Sequence, residues 1–210
     1  MDLSIIITVH NLEHYIQPLL STLWNQKTDN IQIEYIFVFD KCTDKSRDIV
    51  GAWAKEMWEK GKTSAIKFIN VDFGRPGLAR NAGIDESSGE YIWFIDGDDW
   101  LISEDAIKTA YRTIKDNNLN LLRFDFMSLY KLYQTQPGAG WMCVWRYIYR
   151  RDFIGSLRFN DKSNEEDNDF SRSILKKANY KIPEIKRILY FYNYDRDGSL
   201  TYPILHPSHQ

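Results

Sequence analysis

The sequence predicts an α/β domain built on a mostly parallel central sheet with helices on both faces. Three observations predict it. Short apolar runs rich in β-branched and aromatic residues alternate with helical patterns up to about residue 117. These runs are continuous rather than alternating, as in strands buried on both faces. Polar residues gather just past their carboxyl ends, which is where open parallel sheets bind ligands.

Residues 3–9 (LSIIITV) read as the first strand, ending at His10-Asn11. Leu12, Tyr15, Ile16, Leu19, Leu20, Leu23 and Trp24 then recur at helical spacing, predicting a helix to about Gln26 with Pro18 bending its first turns. Residues 33–39 (IEYIFVF) form a second strand closed by Asp40. Thr43 is the expected N-cap of a helix whose apolar stripe is Ile49, Val50, Trp53 and Met57. A third strand covers 66–71, and a Gly/Pro turn from Gly74 to Gly77 leads into a short helix near 78–87. The fourth strand, 91–95 (YIWFI), ends in Asp96-Gly97-Asp98-Asp99. Ser103 is then expected to cap a helix to about Asn117. After 120 the pattern loosens into aromatic-rich segments (141–153), an acidic turn at 165–169 with a helix to about 178, and a tyrosine-rich strand at 188–194. With no internal repeat and no long linker, one domain is expected.

Composition narrows the function classes. A chain of 210 residues can bury a sizeable core. Its 27 Lys and Arg against 29 Asp and Glu exclude a polycation that coats nucleic acid. Cys42 and Cys143, its two cysteines, cannot make a disulfide-dense scaffold or a four-cysteine zinc site. No apolar run reaches the ~20 residues of a transmembrane helix, and Asp2 without a basic stretch argues against a signal peptide. A soluble chain of a reducing compartment is expected. Residues 1–100 carry 10 basic and 16 acidic side chains, and residues 101–210 carry 17 and 13. An acidic half suits a metal and a basic half suits phosphate, although surface drift explains the split equally well.

Asp96, Asp98 and Asp99 are the most informative group. Three carboxylates at one strand end repel each other unless a cation offsets them, and oxygen-only ligands favour Mg²⁺ or Mn²⁺. A solvated Asp/Gly turn is the simpler alternative. Glu165, Glu166 and Asp167 suit the first turn of a helix through its dipole, and only a carboxylate facing a cleft would serve as a base. Arg75, Arg80 and Arg196 are candidate anion ligands, with plain surface arginine as the alternative for each. His10 and Cys42 lack partners at ligand spacing, which excludes a zinc site or a Cys/His nucleophile. There is no GxxxxGK[ST] loop and no GxGxxG turn. The basic, aromatic stretch from Trp141 to Arg158 suits either the wall of a sugar site or, through Arg150 and Arg151, an anionic acceptor.

The ordered segments SIIITVHN (4–11), EYIFVFDKCTDKS (34–46), GLARNAGI (77–84) and GEYIWFIDGDD (89–99) together resemble family 2 glycosyltransferases of the GT-A, Rossmann-like fold. WRYIYRRDF (145–153), NEEDNDF (164–170) and LYFYNYDRDGSLT (189–201) continue the resemblance more weakly. It implies a catalytic domain over 1–205, with a nucleotide-sugar-binding half (1–100), an acceptor-binding half (101–205) and a tail at 206–210. It implies that Thr8, His10 and Asp40 border the nucleotide base, with Asp40 accepting the uracil imide hydrogen. Arg80 would lie near the diphosphate or the base, Asp98 and Asp96 on Mn²⁺ or Mg²⁺, with Asp96 otherwise near the ribose, and Asp99 at the sugar or the metal shell. Asp167, paired with Glu166, becomes the expected catalytic base. Tyr192 and Arg196 would lie near the diphosphate or acceptor, and Trp141 and Trp145 at the acceptor. The activity implied is inverting transfer from a nucleotide-diphospho-sugar, UDP favoured, to a hydroxyl of a glycan, a lipid-linked saccharide or an anionic polymer such as modified DNA. The donor pool implies a cytoplasmic chain, free or peripheral at the inner membrane face. Two rivals are a degenerate nucleotide-sugar-binding domain and a haloacid dehalogenase-type phosphotransferase, although the latter places its aspartates after the first strand. The chain departs from the family pattern at Thr8 and His10, where relatives often carry proline and tyrosine, and at Phe39-Asp40, where they carry two aspartates.

Overall fold

A computed structural model describes residues 1–63, 65–128, 143–162 and 165–193. The central sheet runs in the order β3-β2-β1-β4-β7-β6-β8-β5. Its strands are β1 (Leu3–Val9), β2 (Ile33–Asp40), β3 (Ala65–Val71), β4 (Tyr91–Asp96), β5 (Trp100–Leu101), β6 (Leu121–Ser128), β7 (Tyr147–Arg150) and β8 (Glu184–Tyr192). β1 pairs in parallel with β2 and β4, and β2 with β3. β7 runs antiparallel between β4 and β6. The order reverses at the β1–β4 junction, so a crevice opens there beyond the strand ends.

The helices are α1 (Gln17–Trp24), α2 (Ser46–Glu59), α3 (Pro76–Glu86), α4 (Ala106–Asp116), α5 (Arg151–Ile154) and α6 (Glu166–Lys177). Because side chains alternate along a strand, the sheet divides its residues between two cores. Leu3, Ile5, Ile7 and Val9 pack with α1, α2 and α4, as do Ile33, Tyr35, Phe37, Phe39, Tyr91, Trp93 and Ile95. Ile6, Ile36, Val38, Ile92 and Phe94 pack with α3 and α6 on the other face. Counting on by two, Thr8, Asp40 and Asp96 fall on the α3/α6 side.

Several sequence expectations shift. α1 begins at Gln17 rather than Leu12, since Pro18 suits a first turn and not an interior. Leu12 to Ile16 instead form a turn, with the amides of Tyr15 and Ile16 both donating to Leu12 O. Lys45 rather than Thr43 precedes α2, and Asp105 rather than Ser103 precedes α4. β6 is an element the pattern beyond 120 conceals. Its Arg123 and Asp125 break the apolar run, yet Arg123 pairs with Glu184 at 3.0 Å and Asp125 accepts from Arg146 at 3.5 Å.

At the end of the sheet remote from the crevice, buried Glu34 joins three segments. Its Oε1 accepts from Ser4 Oγ (2.6 Å), Ser88 Oγ (2.9 Å) and the Gly89 amide (3.2 Å), while Lys67 Nζ lies 3.0 Å from Oε2. Burial disfavours the charge, but these donors outweigh it and hold the carboxyl at about 2. A depressed pKa stabilises the fold above the unfolded value near 4.5, and the benefit fades as the pH falls towards 2. Glu34→Gln is therefore expected to lower stability at pH 7 by ~3 kcal/mol in urea denaturation, a difference that shrinks below pH 4.5.

Candidate active site

A cavity of about 470 Å³ opens at the β1–β4 junction. Thr8, Val9 and His10 reach it from β1, Asp40 from β2, and Asp96, Gly97 and Asp98 from β4. Ala79 and Arg80 come from α3, Glu166 and Asp167 from α6, and Cys143, Trp145, Tyr192 and Asn193 close the far wall. The chain swings away from the strand tips through left-handed residues, Asn11 (φ 49°) and Lys41 (φ 53°), which keeps the tips open.

Arg80 organises the acidic wall. It is 4% exposed, and its Nη1 donates to Asp167 Oδ1 at 2.7 Å and Glu166 Oε1 at 3.0 Å, while Nη2 donates to Asp96 Oδ1 at 2.8 Å. Burial opposes its charge, but the surrounding Asp167, Asp96 and Glu166 carboxylates hold its pKa well above normal. One cation thus draws β4 and α6 onto α3. Phe159 lies under the guanidinium, 5.6 Å from its carbon. Glycine is required at 77, because a Cβ there would stand 2.9 Å from Glu166 Cγ and from Phe159 Cβ.

Asp167 is the most strongly perturbed carboxylate facing the crevice. Burial, together with Glu166 and Asp96, pushes its pKa up to about 7 against the pull of Arg80. Arg80 holds its Oδ1, and the side chain lines the cavity. Glu165 just before it sits in the left-handed region (φ 67°), which turns the first helical turn of α6 towards Arg80.

The DGDD turn separates into two roles. Gly97 donates its amide to Thr8 O at 3.1 Å, and a Cβ there would stand 2.7 Å from Leu12 Cδ1, so the turn needs glycine. Asp96 and Asp98 line the cavity. Asp99 turns inward, is 0% exposed and is not among the residues lining the cavity. Its Oδ2 accepts from Tyr190 OH at 2.6 Å and its Oδ1 from the Asn193 amide at 2.8 Å. Burial and the neighbouring Asp98 and Asp96 charges raise its pKa well above the carboxylate range. β7 pairs with Tyr91–Trp93 of β4, so among the described residues the β4 tip has no strand partner on that side. Tyr190 OH fills the gap by accepting the Asp96 amide at 3.2 Å.

Asp40 is committed to backbone. Its Oδ1 accepts the amides of Phe73 and Gly74, both at 2.8 Å, and Oδ2 accepts that of Arg75 at 3.0 Å. His10 Nδ1 lies 2.7 Å from Asp40 O. Thr8 faces Asp96 across the strand pair, its hydroxyl 3.4 Å from Oδ1. Trp145 is 2% exposed and stacks on Tyr190 and Tyr192 at 4.6 and 5.0 Å, leaving little of its ring for an acceptor. Trp141 and Arg196 fall outside the described residues, as does the 206–210 tail.

Arg150 donates to Glu90 and Asn118, and Arg151 to Gly89 O, beside the start of β4 at Tyr91 rather than its tip. Neither is among the residues that line the cavity. The sequence gives no role to Tyr190, Asn193 or Cys143, although the first two lie in the segment 189–201 that carries part of the resemblance. Burial and the nearby Asp167, Asp96 and Asp99 charges push the Cys143 thiol up, so it is no nucleophile.

The family model described as glycosyl transferase family 2 matches residues 4–178. The chain belongs to this family. Among curated relatives it is 37% identical over 121 residues to the poly(ribitol-phosphate) beta-glucosyltransferase of Bacillus spizizenii, covering 58% of this chain and 18% of that protein. It is 31% identical over 179 residues to the putative glycosyltransferase EpsH of Bacillus subtilis, covering 75% and 49%. The chain thus spans less than half the length of these relatives. In fold it is similar to Staphylococcus aureus TarS 1–349 in complex with UDP-GlcNAc, with a TM-score of 0.80, 22% identity, and 96% and 60% of the two chains covered. It is also similar to the mannosyltransferase PcManGT of Pyrobaculum calidifontis in complex with GDP-Man and Mn²⁺, with a TM-score of 0.70, 15% identity, and 93% and 58% covered. The family 2 chain therefore has a GT-A-like α/β fold. Among the described residues no helix is long and apolar enough to cross a membrane.

Proposed function

We propose that this family 2 chain transfers a sugar from a UDP-sugar to an acceptor hydroxyl by a single displacement that inverts the anomeric centre. The observation that carries the reading is the wall of Asp96, Asp98, Glu166 and Asp167 on one side of a cavity at the sheet's switch point. The UDP-GlcNAc complex of TarS supports the donor class. Two relatives named for poly(ribitol-phosphate) make a polyol-phosphate hydroxyl the first acceptor to try.

The donor set fits a hard divalent ion shared with the substrate. Mg²⁺-like ions are commonly held by one or two carboxylates plus substrate phosphates. Asp98 and Asp96 would supply those carboxylates. Among the described residues no group of three or more His, Cys, Asp or Glu is placed to hold a metal by itself, so a cation here would need further oxygens from the substrate. When bound, such a cation would offset the charge growing on the departing diphosphate. The Asp167 carboxylate takes the acceptor hydroxyl proton as the new bond forms and the nucleotide diphosphate departs, and Arg80 keeps that carboxylate oriented.

A thermal-shift screen of UDP-, GDP- and dTDP-sugars with Mn²⁺ tests the reading. UDP-sugars should raise the wild-type melting temperature, and Asp98→Asn should lose most of that shift. Shifts with UDP but neither hydrolysis nor transfer across many acceptors would favour a binding domain without catalysis.

A further inference from the structure

Resting on the donor reading above, we infer that Tyr190 is a positioning residue for transfer. Its hydroxyl clasps both ends of the Asp96–Asp99 turn and so sets how Asp96 and Asp98 meet the cation and the diphosphate. At the first residue of the turn, the phenol oxygen accepts the Asp96 amide at 3.2 Å. At the last, the same hydroxyl donates to Asp99 Oδ2 at 2.6 Å. One side chain on β8 thus spans a turn that lies more than 90 residues away in the chain.

Further contacts make the clasp a fixed frame. The Asn193 amide donates to Asp99 Oδ1 at 2.8 Å, and the Asp99 amide to Asp96 O at 3.1 Å. The Tyr190 ring is buried and stacks on Trp145 at 4.6 Å with the planes 4° apart. Phe191 stacks at 4.0 Å on Trp100, the residue that follows the turn. β8 therefore grips the turn at its start, at its end and just beyond it. Asp96 and Asp98 line the cavity from inside that grip. The ring supplies packing and the hydroxyl supplies aim, so the two contributions can be separated. Groups that orient metal ligands from behind typically account for 10–100-fold in metal affinity.

Tyr190→Phe keeps the ring and its stack on Trp145 and deletes the clasp. The test is calorimetric titration of the whole chain with UDP, with and without Mn²⁺, for wild type, Tyr190→Phe and Ser4→Ala. Ser4→Ala deletes a buried hydroxyl bonded to Glu34 at the remote end of the sheet and controls for general destabilisation. Mn²⁺ should tighten UDP binding equally in wild type and Ser4→Ala. In Tyr190→Phe that gain should shrink by about tenfold or more, while metal-free UDP affinity stays within about twofold. Amide hydrogen exchange at Asp96 should be slow in wild type and faster in Tyr190→Phe. If Tyr190→Phe keeps the full gain, or Ser4→Ala loses as much of it, the inference is overturned and the donor reading stands. Rapid exchange at Asp96 in wild type overturns it as well, and this measurement decides should Tyr190→Phe fail to fold. If Mn²⁺ adds nothing to wild-type UDP affinity, the donor reading fails and the inference falls with it.

Discussion

Asp167→Asn should lower kcat by ~10²–10⁴-fold while leaving the affinity for UDP within about twofold of wild type. The amide keeps an oxygen for Arg80 Nη1 and the size of the side chain, so the wall of the cavity persists. What it loses is the ability to take a proton. In wild type the environment that holds the carboxyl near 7 is burial plus two neighbouring carboxylates, opposed by Arg80. Only the ionised form acts as a base, so kcat/KM should fall about tenfold per unit below pH 7 and level off above it. Steady-state rates from pH 5.5 to 8.5 check this. A near wild-type kcat in Asp167→Asn would remove it from the chemistry.

Arg80→Met should be the most damaging single substitution to the fold around the site. Methionine approximates the length of the stem and deletes the charge, leaving Asp96, Glu166 and Asp167 crowded with no counter-ion. Breaking a buried ion pair from one side costs ~3–5 kcal/mol. For a domain of this size that corresponds to a fall in melting temperature of roughly 10 °C or more. Much of the cost is repulsion, so Asp167→Asn added to Arg80→Met should recover part of it, and melting curves of the single and double variants measure the coupling. Additive losses would mean that Arg80 serves the fold by packing on Phe159 rather than by gathering carboxylates.

How far the site could be read from the sequence depends on which rule placed each residue. Thr8, Asp40 and Asp96 are legible, because strand alternation and the strand ends put all three on one face above one crevice. The first-turn carboxylates of α6 are legible as a cap. Their approach to the crevice depends on the antiparallel return through β7, which the sequence does not display. Arg80 is a lone arginine in a short helix, a pattern shared with any solvated side chain; only three-dimensional packing shows that it gathers three acids from distant segments. In the same way Asp98 and Asp99 are neighbours of one residue type, and the β4 tip turns one into the cavity and the other onto Tyr190 and Asn193. The helix boundaries that moved did so at Pro18, Thr43 and Ser103, where several capping-type residues stand close together and tertiary contacts choose among them.

The central claim is that the acidic wall at the tip of β4 receives a divalent cation and a nucleotide diphosphate together. Manganese anomalous scattering from crystals grown with UDP and Mn²⁺ tests it most directly. The account predicts one manganese peak bonded to Asp98 and to the diphosphate. A manganese peak elsewhere, with Asp98 turned from any cation and the cavity free of nucleotide, would contradict it.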